Sequence, residues 1–168
     1  MEFQMPSTFD KLDGLCKLLT PSTGKDADQI QSDAANRGIE MLFINGSVLS
    51  TAALERNLRI GEKLGFCSES RGVYFLTPRG KTFREASDKS GPLFEACKEA
   101  MRSNFKPYTD VRRSIQKLSG NSASTWGAIL SDLELSLSAK EEKMFKTLLG
   151  LISTSGKLRR RMHLYYEA

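Results

Sequence analysis

The sequence predicts a mainly α-helical protein with one small β-hairpin and a helical subdomain appended after it. Two observations lead there. Apolar residues recur at three- and four-residue steps along most of the 168 residues, in runs opened by Ser, Thr or Asp and closed by Gly or Pro. Strand-type composition on both sides of a turn stands out at one place, the two short segments flanking Ser70, Arg71 and Gly72.

The elements follow in order. A first helix is expected from near Thr8, capped by Ser7 or Thr8, with Phe9, Leu12, Leu15 (or Cys16) and Leu19 at helical spacing. Pro21 and Gly24 end it. A second runs from Lys25 or Asp26 to Asn36, with Asp26 and Asp28 at its positive end, and closes at Arg37-Gly38. The next run, residues 41–44 followed by Asn45-Gly46, fits either a short strand and turn or a buried helical turn. The clearest helix spans 50–64: Ser50 or Thr51 caps it, Leu54, Leu58, Gly61 and Leu64, with Ala53 and Asn57 beside them, trace its apolar face, and Gly65 ends it. Residues 66–69 and 73–76 form the hairpin. Thr77 as cap and Pro78 at the first helical position then open another helix. Beyond Gly91-Pro92, helices are expected at LFEACKEAMRSNF, at about 108–118, at WGAILSDLELSL, and at SAKEEKMFKTLLGLIS, where Ser138 and Glu141 make a capping-box signature. No internal repeat or low-complexity linker separates the parts. The expected division is 1–88 and 89–168, the second a helical subdomain docked on the first.

Composition narrows the function classes. With 39% apolar and 27% charged residues and no apolar run approaching the ~18 to 20 residues of a spanning helix, a membrane-embedded reading is set aside. The start carries acidic Glu2 and has no basic-then-apolar pattern, so the expectation is a cytoplasmic, intracellular protein. Cys16, Cys67 and Cys97 are too widely spaced for a metal pair, and His163 is the single histidine, so no metal and no cofactor are expected. The three thiols read as small buried hydrophobes. Catalytic signatures are missing too: there is no GxxxxGK[ST], no GxGxxG after a strand, no HExxH and no GxSxG. The expectation is a protein that is not an enzyme. Net charge is +5, and most of the excess falls late: residues 1–84 hold eleven basic and ten acidic side chains, residues 85–168 fourteen and ten. Such a balance permits polyanion contact without requiring it.

The stretch LGFCSESRGVYFLTPRGKTF, preceded by the ridge ALERNLRIGEKLGF, resembles the winged helix-turn-helix superfamily of transcription regulators over about residues 25–86. The resemblance implies a mainly α fold with a β-hairpin wing, in which 50–64 is the recognition helix and Arg71 sits at the wing tip. A helix of that length fits the ~12 Å major groove, where Arg56, Asn57 and Arg59 would offer donors to base edges. Arg71 would reach the adjacent minor groove or backbone, and Lys63, Arg79, Lys81 and Arg84 would touch phosphates, which position without specifying. Glu55, Glu62 and Glu69 oppose this. Winged helices also serve as protein-interaction modules in larger assemblies, and on that alternative the same residues are a solvated mixed-charge face.

A secondary basic patch is expected in two segments. One holds Arg102, Lys106, Arg112, Arg113 and Lys117 with Phe105 and Tyr108 interleaved; the other holds Lys157, Arg159, Arg160 and Arg161 ahead of Tyr165 and Tyr166. A basic run behind a helix also suits that helix's negative end. The order LTPRGKTFREA, then LFEA, then further helices is similar to the AAA-associated C-terminal regulatory domain of some ABC transporter ATPases, a resemblance that fades after Ala100. Phe145, Leu148, Leu149 and Ile152 fit either a homodimer seam or a core. The expected partners are thus duplex DNA, a protein partner or a second copy, and no membrane.

Overall fold

The computed structural model describes residues 6–119, 125–161 and 164–167, with side chains through Leu158. It is mainly helical with small antiparallel hairpins, and it divides into two compact units, Met1–Ser87 and Asp88–Ala168.

Local chemistry sets the ends of each element in unit 1. Helix α1 (Thr8–Leu18) starts at Ser7, whose hydroxyl accepts from the Asp10 amide (3.2 Å) while the Asp10 carboxylate accepts from the Ser7 amide (3.0 Å). Asp26 and Gln29 repeat this reciprocal cap at α2 (Ala27–Arg37), and Gly38 closes α2 with a left-handed φ of 60°. The segment that sequence left as strand or helical turn contains both. A 3₁₀ turn at Glu40–Leu42 leads into a two-residue ribbon, β1 (Phe43–Ile44) and β2 (Ser47–Val48), reversed at Asn45-Gly46. Helix α3 (Thr51–Lys63) is capped by Ser50, which accepts from the Ala53 amide at 3.2 Å.

Strands β3 (Cys67–Ser70) and β4 (Val73–Leu76) pair from Cys67↔Leu76 to Ser70↔Val73. Their turn is Arg71-Gly72 alone, with φ of 53° and 82°, the doubly left-handed conformation that matches strand twist. On the other side of β4, Lys25 exchanges two backbone hydrogen bonds with Tyr74 (3.1 and 2.9 Å), so β4 is the middle of a minimal three-stranded arrangement. Helix α4 (Pro78–Glu85) follows, capped by Thr77. The core gathers Leu12, Leu15, Ile30, Leu54, Leu58 and Leu64 around an aromatic centre. There Phe66 stacks on Phe83 (4.5 Å between centroids) and Phe9 meets Phe83 edge-on (5.9 Å).

Unit 2 holds α5 (Ser90–Asn104), α6 (Tyr108–Ser119), α7 (Trp126–Asp132) and α8 (Ala139–Thr154). Ser138 and Glu141 form the capping box at α8. Two expectations need correction. The second half is not purely helical: after Gly156, at φ 79°, the chain forms a ribbon of β5 (Leu158–Arg161) and β6 (Leu164–Glu167), where Leu-Tyr-Tyr suits a strand. Phe145, Leu148, Leu149 and Ile152 offer no seam for a second copy, because all four are fully buried within unit 2, Phe145 edge-on to Phe105 at 5.3 Å.

Candidate nucleic-acid interface

Helix α3 buries Leu54, Leu58 and Gly61, and this fixes which residues face outward. Arg56, Arg59 and Lys63 are exposed. At roughly 100° per residue they fall within an arc of about 60°, while Glu55 and Glu62 make a separate acidic edge beside Arg59. The two edges meet in one pair, Arg59 Nη2 to Glu55 Oε2 at 3.9 Å, exposed enough to add at most a few tenths of a kcal/mol. Asn57 does not belong to this face and is withdrawn as a base contact. It is 8% exposed, and its Nδ2 donates to the Ala53 carbonyl at 2.8 Å, a bond within its own helix.

The hairpin β3–β4 carries Arg71 at its exposed tip. An arginine in left-handed backbone costs about 1 kcal/mol where asparagine or glycine would sit freely. Glu69, the nearby acidic residue, is engaged in the turn: its Oε1 accepts from the Gly72 amide at 2.6 Å. Backbone and thiol tie hairpin to helix: the Phe66 amide donates to the Gly61 carbonyl (2.8 Å) and the Cys67 thiol to the Leu58 carbonyl (3.4 Å). Burial pushes the phenol pKa of Tyr74 up, Glu62 adds to the rise, and Arg59 opposes it.

The motif LTPRG, which sequence assigned to the exit from the hairpin, is a latch onto the end of α3. The Thr77 hydroxyl donates to the Gly65 carbonyl and accepts from the Gly80 amide (3.0 Å), while the Thr77 amide donates to the Phe66 carbonyl (3.1 Å). Gly80 is required because a Cβ there would lie 2.0 Å from the Phe66 carbonyl oxygen. Two of the expected phosphate contacts change character. Arg79 is exposed but runs along Gly65, where a Cβ would meet its Cδ at 3.5 Å, so its cation lies at the negative end of α3. Arg84 is half-buried, donating to the Leu19 carbonyl (3.4 Å) and facing Glu85 (3.7 Å), and it serves packing rather than a surface. Lys81 remains exposed.

In unit 2 two of the five cations of the α5–α6 basic segment face carboxylates. Arg113 faces Asp110 at 3.8 Å and Lys117 bonds Asp132 at 2.6 Å, which holds the Asp132 carboxyl below its ordinary range, with Ser114 adding. Arg102 shares a cleft with Lys98 but also with Glu95 and Glu99. Lys106 is half-buried and Arg112 exposed. Arg159, Arg160 and Arg161 lie in β5; their side chains, and the whole of His163, lie outside the described residues.

The thiols are shielded from solvent. Cys16, Cys67 and Cys97 are free and buried, and burial pushes the pKa of Cys67 and Cys97 up to about 12. Among the described residues no cluster of His, Cys, Asp and Glu could hold a metal ion, and no helix is long and apolar enough to cross a membrane. No family profile, curated protein or solved structure matches this chain.

Proposed function

We propose that unit 1 is a winged helix-turn-helix module that binds duplex DNA, with α3 as the recognition helix and β3–β4 as the wing, and that the protein acts in transcriptional regulation. The observation that carries this reading is the exposed cationic stripe of Arg56, Arg59 and Lys63, bordered at Arg59 by the acidic edge, on a helix hydrogen-bonded to the hairpin that carries exposed Arg71 at its tip. The element order supports it: α1, the Lys25 bridge, α2, α3, then the hairpin. Arg56 and Arg59 read base edges, Arg71 reaches beyond the groove edge, and Lys63 and Lys81 hold phosphates. Thirteen residues of α3, about 20 Å long, match the width over which a groove-bound helix makes contacts.

A second reading, a protein-interaction module in a larger assembly, is favoured by the acidic edge of Glu55 and Glu62, which repels phosphate. One experiment separates them: fluorescence anisotropy of random-sequence duplex at low and moderate salt, for wild type and Arg56→Ala/Arg59→Ala/Arg71→Ala. The DNA reading expects micromolar or tighter binding that weakens with salt and weakens further in the variant. Absence of binding at low salt removes it in favour of the protein-partner reading.

A further inference from the structure

We propose that the β5–β6 ribbon is a second nucleic-acid contact, one that grips phosphates without reading sequence. It goes beyond the α3 reading and does not depend on it.

The register places Arg159 opposite Tyr166 and Arg160 opposite Tyr165, with Arg161 opposite Leu164. Partners across an antiparallel pair share a face and neighbours along a strand alternate, so arginine and tyrosine are paired at positions on both faces of the ribbon. Three consecutive arginines stand against Glu167 alone within the strands. Just before β5, exposed Lys157 places its Nζ 5.5 Å from the centroid of the Phe94 ring, where Lys98 Nζ also lies at 4.9 Å, so two cations of Lys157 and α5 gather at the start of the ribbon.

The simplest alternative role for the basic run was to neutralise the C-terminal end of the preceding helix. Helix α8 ends at Thr154, Ser155 and Gly156 turn the chain, and the arginines belong to strand β5, paired to β6, rather than to the last turn of the helix itself. The residue types then point to phosphate. Guanidinium forks match phosphate oxygens in pairs of hydrogen bonds, and tyrosine rings give bases a surface to stack on, so the site suits a nucleic-acid backbone better than a single small anion. A two-stranded ribbon is also narrow enough to enter the major groove.

The test uses the full chain and a labelled random-sequence duplex, with affinity followed over a series of salt concentrations. Each phosphate neutralised contributes about 0.9 to the slope of log affinity against log salt. The variant Arg159→Gln/Arg160→Gln/Arg161→Gln is expected to lower that slope by about two to three and to weaken binding roughly tenfold or more, while Arg159→Lys/Arg160→Lys/Arg161→Lys keeps most of the slope. If the Gln variant loses binding and the Arg56/Arg59/Arg71 variant does not, the ribbon stands and the α3 reading falls. A folded Gln variant that binds with wild-type slope overturns the ribbon and leaves α3 untouched. Wild type that binds phosphatidylserine vesicles but not duplex overturns it as well. A measurement without any variant covers misfolding: bound duplex should slow phenylglyoxal modification of Arg159, Arg160 and Arg161, and unchanged modification in the complex overturns the proposal.

Discussion

Hairpins β3–β4 and β5–β6 are alike in length, four residues to a strand, but charge is laid on them differently. The first carries Arg71 against Glu69 and is held by backbone chemistry: a doubly left-handed turn, the Lys25 bridge on its outer side, and the Thr77 latch where it leaves. The second carries Arg159, Arg160 and Arg161 against Glu167. A hairpin built to hold one side chain at a fixed point invests in its turn and its neighbours, whereas one built to attract a polyanion invests in charge. The difference separates positioning from affinity.

The positioning half of that comparison breaks most severely at the aromatic centre and the latch. Phe83→Ala removes the ring that Phe66 and Phe9 pack against, and a loss of about 3 to 5 kcal/mol in urea unfolding is expected. Gly80→Ala forces a methyl into the Phe66 carbonyl, for a loss of about 3 kcal/mol by the same measurement. Thr77→Val deletes the cap of α4 together with the bond to Gly65, at about 1 to 2 kcal/mol. A loss below about 0.5 kcal/mol in any of these would mean that the β3–β4 exit is not latched.

Arg71 sharpens the comparison at smaller scale. Arg71→Asn relieves left-handed strain, so thermal stability should rise by about 0.5 to 1 kcal/mol while duplex affinity falls. A rise in both would show that the residue is not kept for contact. The buried thiols supply a pH test common to both units. Folded Cys67 and Cys97 hold their protons to about 12, whereas the unfolded chain releases them near the ordinary value of 9.0. The native state thus binds more protons above that value, and stability should be insensitive to these groups below it and fall as pH rises from 9.0 towards 12. At neutral pH a disulfide reagent should label native protein slowly and unfolded protein fast.

Much of the frame was legible because it is written in short-range chemistry. Ser50, Thr77 and Ser138 cap the helices they precede, and Gly65 closes α3, since a cap is decided by residues within one turn. The apolar face of α3 was legible for the same reason. Asn57 was not: it lies at the margin between the two faces, and only packing decides that it turns inward to bond Ala53. The packing of Arg84 was not legible either, because its acceptor, the Leu19 carbonyl, is far away in sequence. The β5–β6 ribbon had one usable signal, Leu-Tyr-Tyr after a basic run, but no Gly or Asn marking a turn.

By itself the sequence determined where most helices begin, which face of each is apolar, and that charge accumulates late in the chain, because periodicity, capping and composition are local properties; it placed the start of α5 after Gly91-Pro92, where the helix begins at Ser90, and carried α7 past its end at Asp132. The tertiary structure alone decided which charges remain available. Arg79 against Gly65, Lys117 on Asp132, Glu69 in its own turn and the α3 stripe of Arg56, Arg59 and Lys63 differ in what the fold brings beside them, and a long side chain's free charge depends on that neighbour.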